Sequence, residues 1–273
     1  MSDKLAMILV QPRQWLDWGA FLGGGGAEVQ ARYPEARRWV LEPLPELGER
    51  SREQWRAQAQ GAKAWWAPWR REVDPVVLAN ATEPAPWAEQ GIQLLWANMA
   101  LHAHPDLPQL LKQWHGILAV DGFLMCSGLG PDTARELRHL YRGLGWPPPT
   151  IDFIDMHDLG DALVEAGFAN PVMDMERITL TWATADDMLA EWRTWGGNVA
   201  QGRFAGLRTP RWRARLLASL TQGLKRPDGR LGLTIELVYG HAFKPAPRLP
   251  VAAETRVSLG DMKAMIKHGT PKT

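Results

Sequence analysis

The chain has 273 residues, 45% of them apolar, which is enough for one large α/β domain or two small ones. Charges balance to +1, which leaves no general nucleic-acid footprint, and no apolar run approaches the ~18 residues of a membrane span. A lone cysteine, Cys126, excludes an internal disulfide and a thiolate metal cluster. The first ten residues lack the apolar region and small-residue cleavage site of a signal peptide, so the chain reads as soluble and cytoplasmic.

Trp15 to Trp18 is a short strand closed by Gly19, and Gly23 to Gly26 reads as a turn. A helix over 27–32 stops at Tyr33-Pro34. Arg38 to Glu42 is a second strand, 46–63 is helical in composition, and Pro75 to Asn80 is a third strand. Leu94-Leu95-Trp96 is the fourth. Pro108 to His115 has a helical pattern, and the Asp121-Gly122 turn starts a fifth strand, Phe123 to Ser127. A helix over 132–142 takes Asp132 as its N-cap. The Pro147-Pro148-Pro149 run reads as a surface loop within one domain. A helix over 158–166 starts at Asp158 and closes at Gly167. A strand over 172–182, helices over 185–195 and 211–223, and a last strand over 231–243 follow. Residues 1–250 form one domain, and 251–273 form a poorly ordered tail.

Strand, helix, strand at the spacing of 94–127 is a βαβ unit, so the sheet is mostly parallel. Ligands in such open sheets sit at the carboxyl ends of the strands, where Asn98 and Ser127 fall. Cys126 lies inside an apolar strand and reads as a packed, inert thiol. The seven histidines show no metal-ligand spacing, and none of them is assigned to a metal. The acids and histidine of Ile154 to Leu163 read as a helix start, since acids favour that end of the dipole. The tryptophans, 15 in all, read mainly as core. The arginines from Arg203 to Arg215 are a solvated face or a dock for an acidic protein.

Particular runs carry a resemblance. Trp96-Ala97-Asn98-Met99-Ala100, Leu129-Gly130-Pro131-Asp132-Thr133 with Glu136-Leu137-Arg138, and Val238-Tyr239-Gly240-His241 resemble motifs of class I S-adenosylmethionine (SAM)-dependent methyltransferases. More narrowly, they resemble the malonyl-acyl carrier protein O-methyltransferases of biotin synthesis. The resemblance implies a Rossmann-like α/β fold, a mostly parallel seven-strand sheet with helices on both faces, and SAM as cofactor. It implies an acidic acyl carrier protein as partner, with neither nucleic acid nor membrane. Implied cofactor residues are Asp17, Gly19 and Gly23 of the glycine motif, Glu42 for the ribose, Asn80 for the adenine amino group, and Asn98 at the reactive end. Arg138, Arg142 and His157 are candidates for the malonyl carboxylate.

The chain departs from the family in two places. Phe21 stands where the family has its middle glycine, and a ring there should weaken SAM binding. Either Gly24 to Gly26 shift the turn and restore the loop, or they form a flexible turn. Fewer residues precede the first strand than the family's helical lid has. Two further readings follow: a cofactor-impaired homologue acting through protein contact, and an arginine hydroxylase like the mitochondrial complex I assembly factor, which is similar in the same regions.

Overall fold

The computed structural model describes residues 1–62, 76–78, 87 and 91–247. The expectations for Asn80, for Trp65, Trp66 and Trp69, and for the 251–273 tail lie outside the described residues. A 3-10 turn, Ser2–Met7, precedes β1 (Gln14–Trp18), α1 (Ala20–Gly23), α2 (Gly26–Arg32), β2 (Arg37–Leu41), α3 (Pro45–Ala62) and β3 (Val76–Leu78). Then come β4 (Ile92–Ala97), a 3-10 turn Leu101–Ala103, α4 (Leu107–Ile117), β5 (Leu118–Leu129), α5 (Arg135–Gly143) and α6 (Met156–Glu165). The chain continues through β6 (Ala169–Trp182), α7 (Ala185–Trp192), a 3-10 turn Arg193–Trp195, α8 (Pro210–Gly223) and β7 (Leu231–Phe243).

The strands form one seven-stranded sheet in the order β3-β2-β1-β4-β5-β7-β6, with β7 antiparallel between β5 and β6. This is the mostly parallel sheet that the sequence implies. Its alternation explains the continuous apolar strands. Trp15, Leu94, Trp96, Phe123 and Met125 face the N-terminal turn and α2. Leu16, Leu95, Ala97, Leu124 and Cys126 face α4 and α6. With both faces covered, neither set can be polar. A second apolar layer joins α5, α7 and α8 to the distal half of the β6–β7 hairpin through Leu137, Met188, Leu220, Leu231 and Leu233.

Several local expectations are corrected. Asp121-Gly122 does not start β5 but bulges within it, as the register moves from Ile92↔Leu118 to Leu94↔Phe123. The bulge is held to the end of β7, with Asp121 N–H donating to Lys244 O (2.9 Å) and Lys244 N–H to Gly122 O (2.8 Å). Asp132 does not cap α5, because its N–H donates to Glu236 Oε2 (2.7 Å) and its carboxylate takes Arg177 (2.8 Å). Asp155, not Asp158, caps α6 by accepting the His157 N–H (2.7 Å). Gly167 closes that helix as expected, with Phe168 N–H to Leu163 O and Gly167 N–H to Val164 O both at 3.0 Å. The proline run is a loop between α5 and α6, and Asn198 Nδ2 donates to Pro148 O (2.9 Å). Leu5 and Ile8, before β1, are buried in the core.

Candidate cofactor and substrate site

The site is built on the loop that leaves β1. Gly19 holds φ +65°, a left-handed turn that costs glycine little, and its N–H donates to Leu41 O (2.8 Å) at the end of β2. One turn of helix follows, α1, and Gly24 and Gly25 (φ +67° and +82°) then make the turn that the sequence leads one to expect over Gly23 to Gly26. Gly23 allows a close approach. A Cβ there would lie 2.5 Å from Asn98 O. The Asn98 amide in turn donates to Gly23 O.

Glu42 follows β2 directly and is fully buried. Its Oε1 accepts the Phe21 N–H (2.7 Å) from α1 and the Ser51 hydroxyl (2.5 Å) from α3. Its Oε2 is buried and has no hydrogen-bond partner among the described residues. A buried acceptor left without a donor is costly in a folded protein, and a ligand hydroxyl would satisfy it. Glu42 therefore lies beside the glycine loop, at the end of β2. The Phe21 ring is half-buried, 5.8 Å from the Arg50 guanidinium.

Asn98 sits at the end of β4 beside Ser127 of β5. The Ser127 hydroxyl donates to Asn98 Oδ1 (2.6 Å) and accepts the Met99 N–H (2.8 Å). The β4–β5 register pairs Ala97 with Cys126, so the next residues of each strand meet. Asn98 thus braces the glycine loop against β5. Asp17, one strand position before the loop, is 1% exposed and bonded to the Arg38 guanidinium at 2.6 Å. Burial pushes the Asp17 carboxyl up to about 6, against the lowering effect of Arg38. Asp17 reads here as a support under the loop and not as a ligand group.

The three substrate candidates lie on α5 and α6. Arg138 donates to Thr133 O (2.8 Å) and to Pro131 O, strapping the turn before its own helix. His157 is exposed on α6 and pairs through Nδ1 with Asp155 (2.8 Å). Arg142 is exposed on α5. The run around Leu129 to Arg138 is a joint. Thr133 and Glu236 exchange two bonds of 3.0 Å, and Glu136 accepts from Thr234 N–H (3.1 Å) and hydroxyl (2.5 Å).

Ser51, Arg38 and His102 are residues that the sequence reading missed. Ser51 and Trp55 are one helical turn apart on α3. Ser51 reaches Glu42, and the Trp55 ring lies 4.7 Å from the Arg38 guanidinium. His102 lies in the 3-10 turn after Asn98, packs edge-on to Phe153, and keeps a buried Nδ1 without a hydrogen-bond partner among the described residues. Burial lowers its pKa. Among the described residues, no group of three or more His, Cys, Asp or Glu is placed to hold a metal ion.

The fold agrees with comparison to known proteins. No family model matches the chain. A malonyl-[acyl-carrier protein] O-methyltransferase of Gallionella capsiferriformans is 36% identical over 250 residues, 91% of this chain and 83% of the relative. The chain belongs to the malonyl-[acyl-carrier protein] O-methyltransferase family. The same enzyme of Laribacter hongkongensis is 36% identical over 249 residues, covering 91% of this chain and 81% of its own length. Among solved structures, a candidate methyltransferase of Bacillus halodurans superposes with a TM-score of 0.57 at 14% identity, over 90% of this chain and 99% of that one. The YcgJ protein from Bacillus gives 0.56 at 12% identity, over 87% and 94%. These two likenesses speak for the fold.

Proposed function

We propose that the protein transfers the methyl group of SAM to the free carboxylate of a malonyl group carried on acyl carrier protein, and so serves biotin synthesis. The observation that carries this reading is Glu42 Oε2, a buried acceptor without a donor beside the glycine loop. The relatives, which match most of the chain, name the reaction. Glu42 would hold the ribose through Oε2, and Gly19 and Gly23 would shape the loop beneath the cofactor. Asn98 would keep that loop in register with β4 and β5.

When bound, SAM supplies an electrophilic methyl group on a sulfonium. The malonyl carboxylate is already ionised at neutral pH, so no proton has to be removed before attack. The chain's task is then alignment and exclusion of water. That suits a site without an activated nucleophile. The Cys126 thiol is fully buried, and burial pushes its pKa up to about 12. Arg138 is engaged with backbone carbonyls, so the malonyl carboxylate is left to other groups. His102, in the 3-10 turn after β4 and with no partner for its Nδ1 among the described residues, is the polar side chain we assign to it.

The test is mass spectrometry of malonyl-carrier protein after incubation with SAM. The expected result is a gain of one methylene in mass, located on the malonyl group of the carrier's thioester arm. A carrier of unchanged mass, with wild-type protein shown to be folded, would refute the assignment.

A further inference from the structure

The segment from Arg193 to Gly223 holds six arginines and no acidic residue. It also exposes large apolar side chains: Trp195 (51%), Val199 (70%), Phe204 (46%) and Leu207 (98%). Neither feature alone would mark a surface, since single exposed apolar residues and solvated arginines are ordinary. Together they form the arrangement that protein interfaces favour, with aromatic and aliphatic anchors among arginines.

Not all six guanidiniums are free. Arg208 stacks on Phe204 (3.6 Å) and Trp212 (4.3 Å), which holds Phe204 in place. Arg213 pairs with Asp186 at 2.5 Å. Arg215 lies 5.4 Å from the Trp146 ring. Arg193, Arg203 and Arg211 are exposed and make no ion pair with any described carboxylate. The positive field therefore comes from these three together with Arg208 and Arg215, whose ring contacts leave their charges in place, and the acids near it, Asp186, Asp187 and Glu191, lie on α7. Asp186 is engaged by Arg213, Asp187 by the Thr184 hydroxyl (2.7 Å), and Glu191 by Trp182 Nε1 (2.6 Å).

The position fits a delivery role. α8 packs on α5, which leaves the carboxyl end of β5, and the loop before α8 rests on Pro148. The patch is thus on the strand-end side of the sheet, where the glycine loop and Glu42 lie. A carrier presenting a thioester there must dock on this side. We propose that the Arg193–Arg215 face is the docking surface for an acidic carrier protein, with Leu207 and Phe204 as apolar anchors and Arg203 and Arg211 as steering charges. The proposal rests on the methyltransferase reading above.

The test pairs a Leu207→Asp/Arg211→Glu variant with an Arg56→Glu control. Arg56 is exposed on α3, which packs on β3 at the opposite edge of the sheet. Surface plasmon resonance on immobilised malonyl-carrier protein reads association. The variant should associate about tenfold more slowly at low salt, with the gap narrowing at high salt, and the control should match wild type. In turnover, the variant should lose about tenfold in kcat/KM on the carrier-bound substrate relative to the malonyl thioester of free pantetheine. Equal association by variant and wild type at low salt, or the same loss on both thioesters, would overturn the proposal. Wild type that methylates neither thioester sinks the methyltransferase reading, and the binding arm still decides docking.

Discussion

The glycine loop and the Leu129–Arg138 joint sit at the ends of β1 and β5, with β4 between them, but answer differently to the same question. In the joint, the polar groups meet inside the protein. Glu236 takes the Asp132 N–H, Thr133 bonds Glu236, Glu136 takes Thr234, and Arg138 takes two carbonyls. In the loop, Glu42 Oε1 is engaged and Oε2 is left over. The joint matches the family motif closely, while the loop departs from it at Phe21. The lesson is that a good motif match marks a structural necessity as readily as a binding site. An unmatched buried acceptor is the sharper pointer to a ligand.

The contrast can be broken at either region. The largest effect is expected from Gly23→Ala. The new Cβ would lie 2.5 Å from a backbone oxygen of Asn98, so α1 or β4 must move. SAM binding should be lost by calorimetry, with the thermal midpoint lowered by the equivalent of about 1–3 kcal/mol. Retained affinity would mean that the loop does not carry the cofactor.

Next is Arg138→Ala. It leaves the carbonyls of Pro131 and Thr133 without that donor, a loss of about 1–3 kcal/mol in denaturant unfolding. KM for malonyl-carrier protein should hold in the folded variant. A raised KM with unchanged stability would restore Arg138 as a substrate residue.

Phe21→Gly is expected to be smaller and of opposite sign for affinity. The Phe21 N–H on Glu42 is backbone and survives, while the half-buried ring is removed. SAM should bind several-fold tighter, at a stability cost below the ~3–5 kcal/mol of truncating a fully buried Phe. Equal or weaker binding by a folded variant excludes steric hindrance by the ring.

The smallest effect concerns pH. Asp17 is raised from its ordinary value to about 6, first by burial, so between pH 4 and 6 the folded state holds a proton that the unfolded state has released. Stability from this group is therefore present below pH 4 and declines as pH rises through 6. The thermal midpoint of wild type should fall relative to Asp17→Asn over that window. A constant difference would place the Asp17 pKa at its ordinary value.

Much of the fold was legible because both faces of the sheet are covered, which forces apolar runs such as Leu94 to Ala97 and Phe123 to Cys126. What escaped the sequence were places where tertiary partners outvoted local chemistry. Asp132 looks like a cap but is claimed by Glu236 and Arg177, more than a hundred and some forty residues away respectively in the chain. Asp121-Gly122 looks like a turn but bulges against the end of β7. In the site, Asn98 fell at an expected strand end, and the family resemblance named Glu42. Ser51 was hidden because a serine in a helix carries no signal until its partner across the core is known.

The central claim is that Glu42 receives the cofactor through its unpartnered oxygen. Calorimetric titration of SAM into wild type and Glu42→Gln tests it most directly, with circular dichroism to verify folding. If the amide keeps its oxygen on Phe21 and Ser51, its NH2 replaces the free acceptor, and a ribose hydroxyl loses its charged partner. Affinity should then fall by about 10- to 100-fold, the equivalent of ~1.5–3 kcal/mol for a hydrogen bond to a charged group. Wild-type affinity in a folded Glu42→Gln protein would contradict the account.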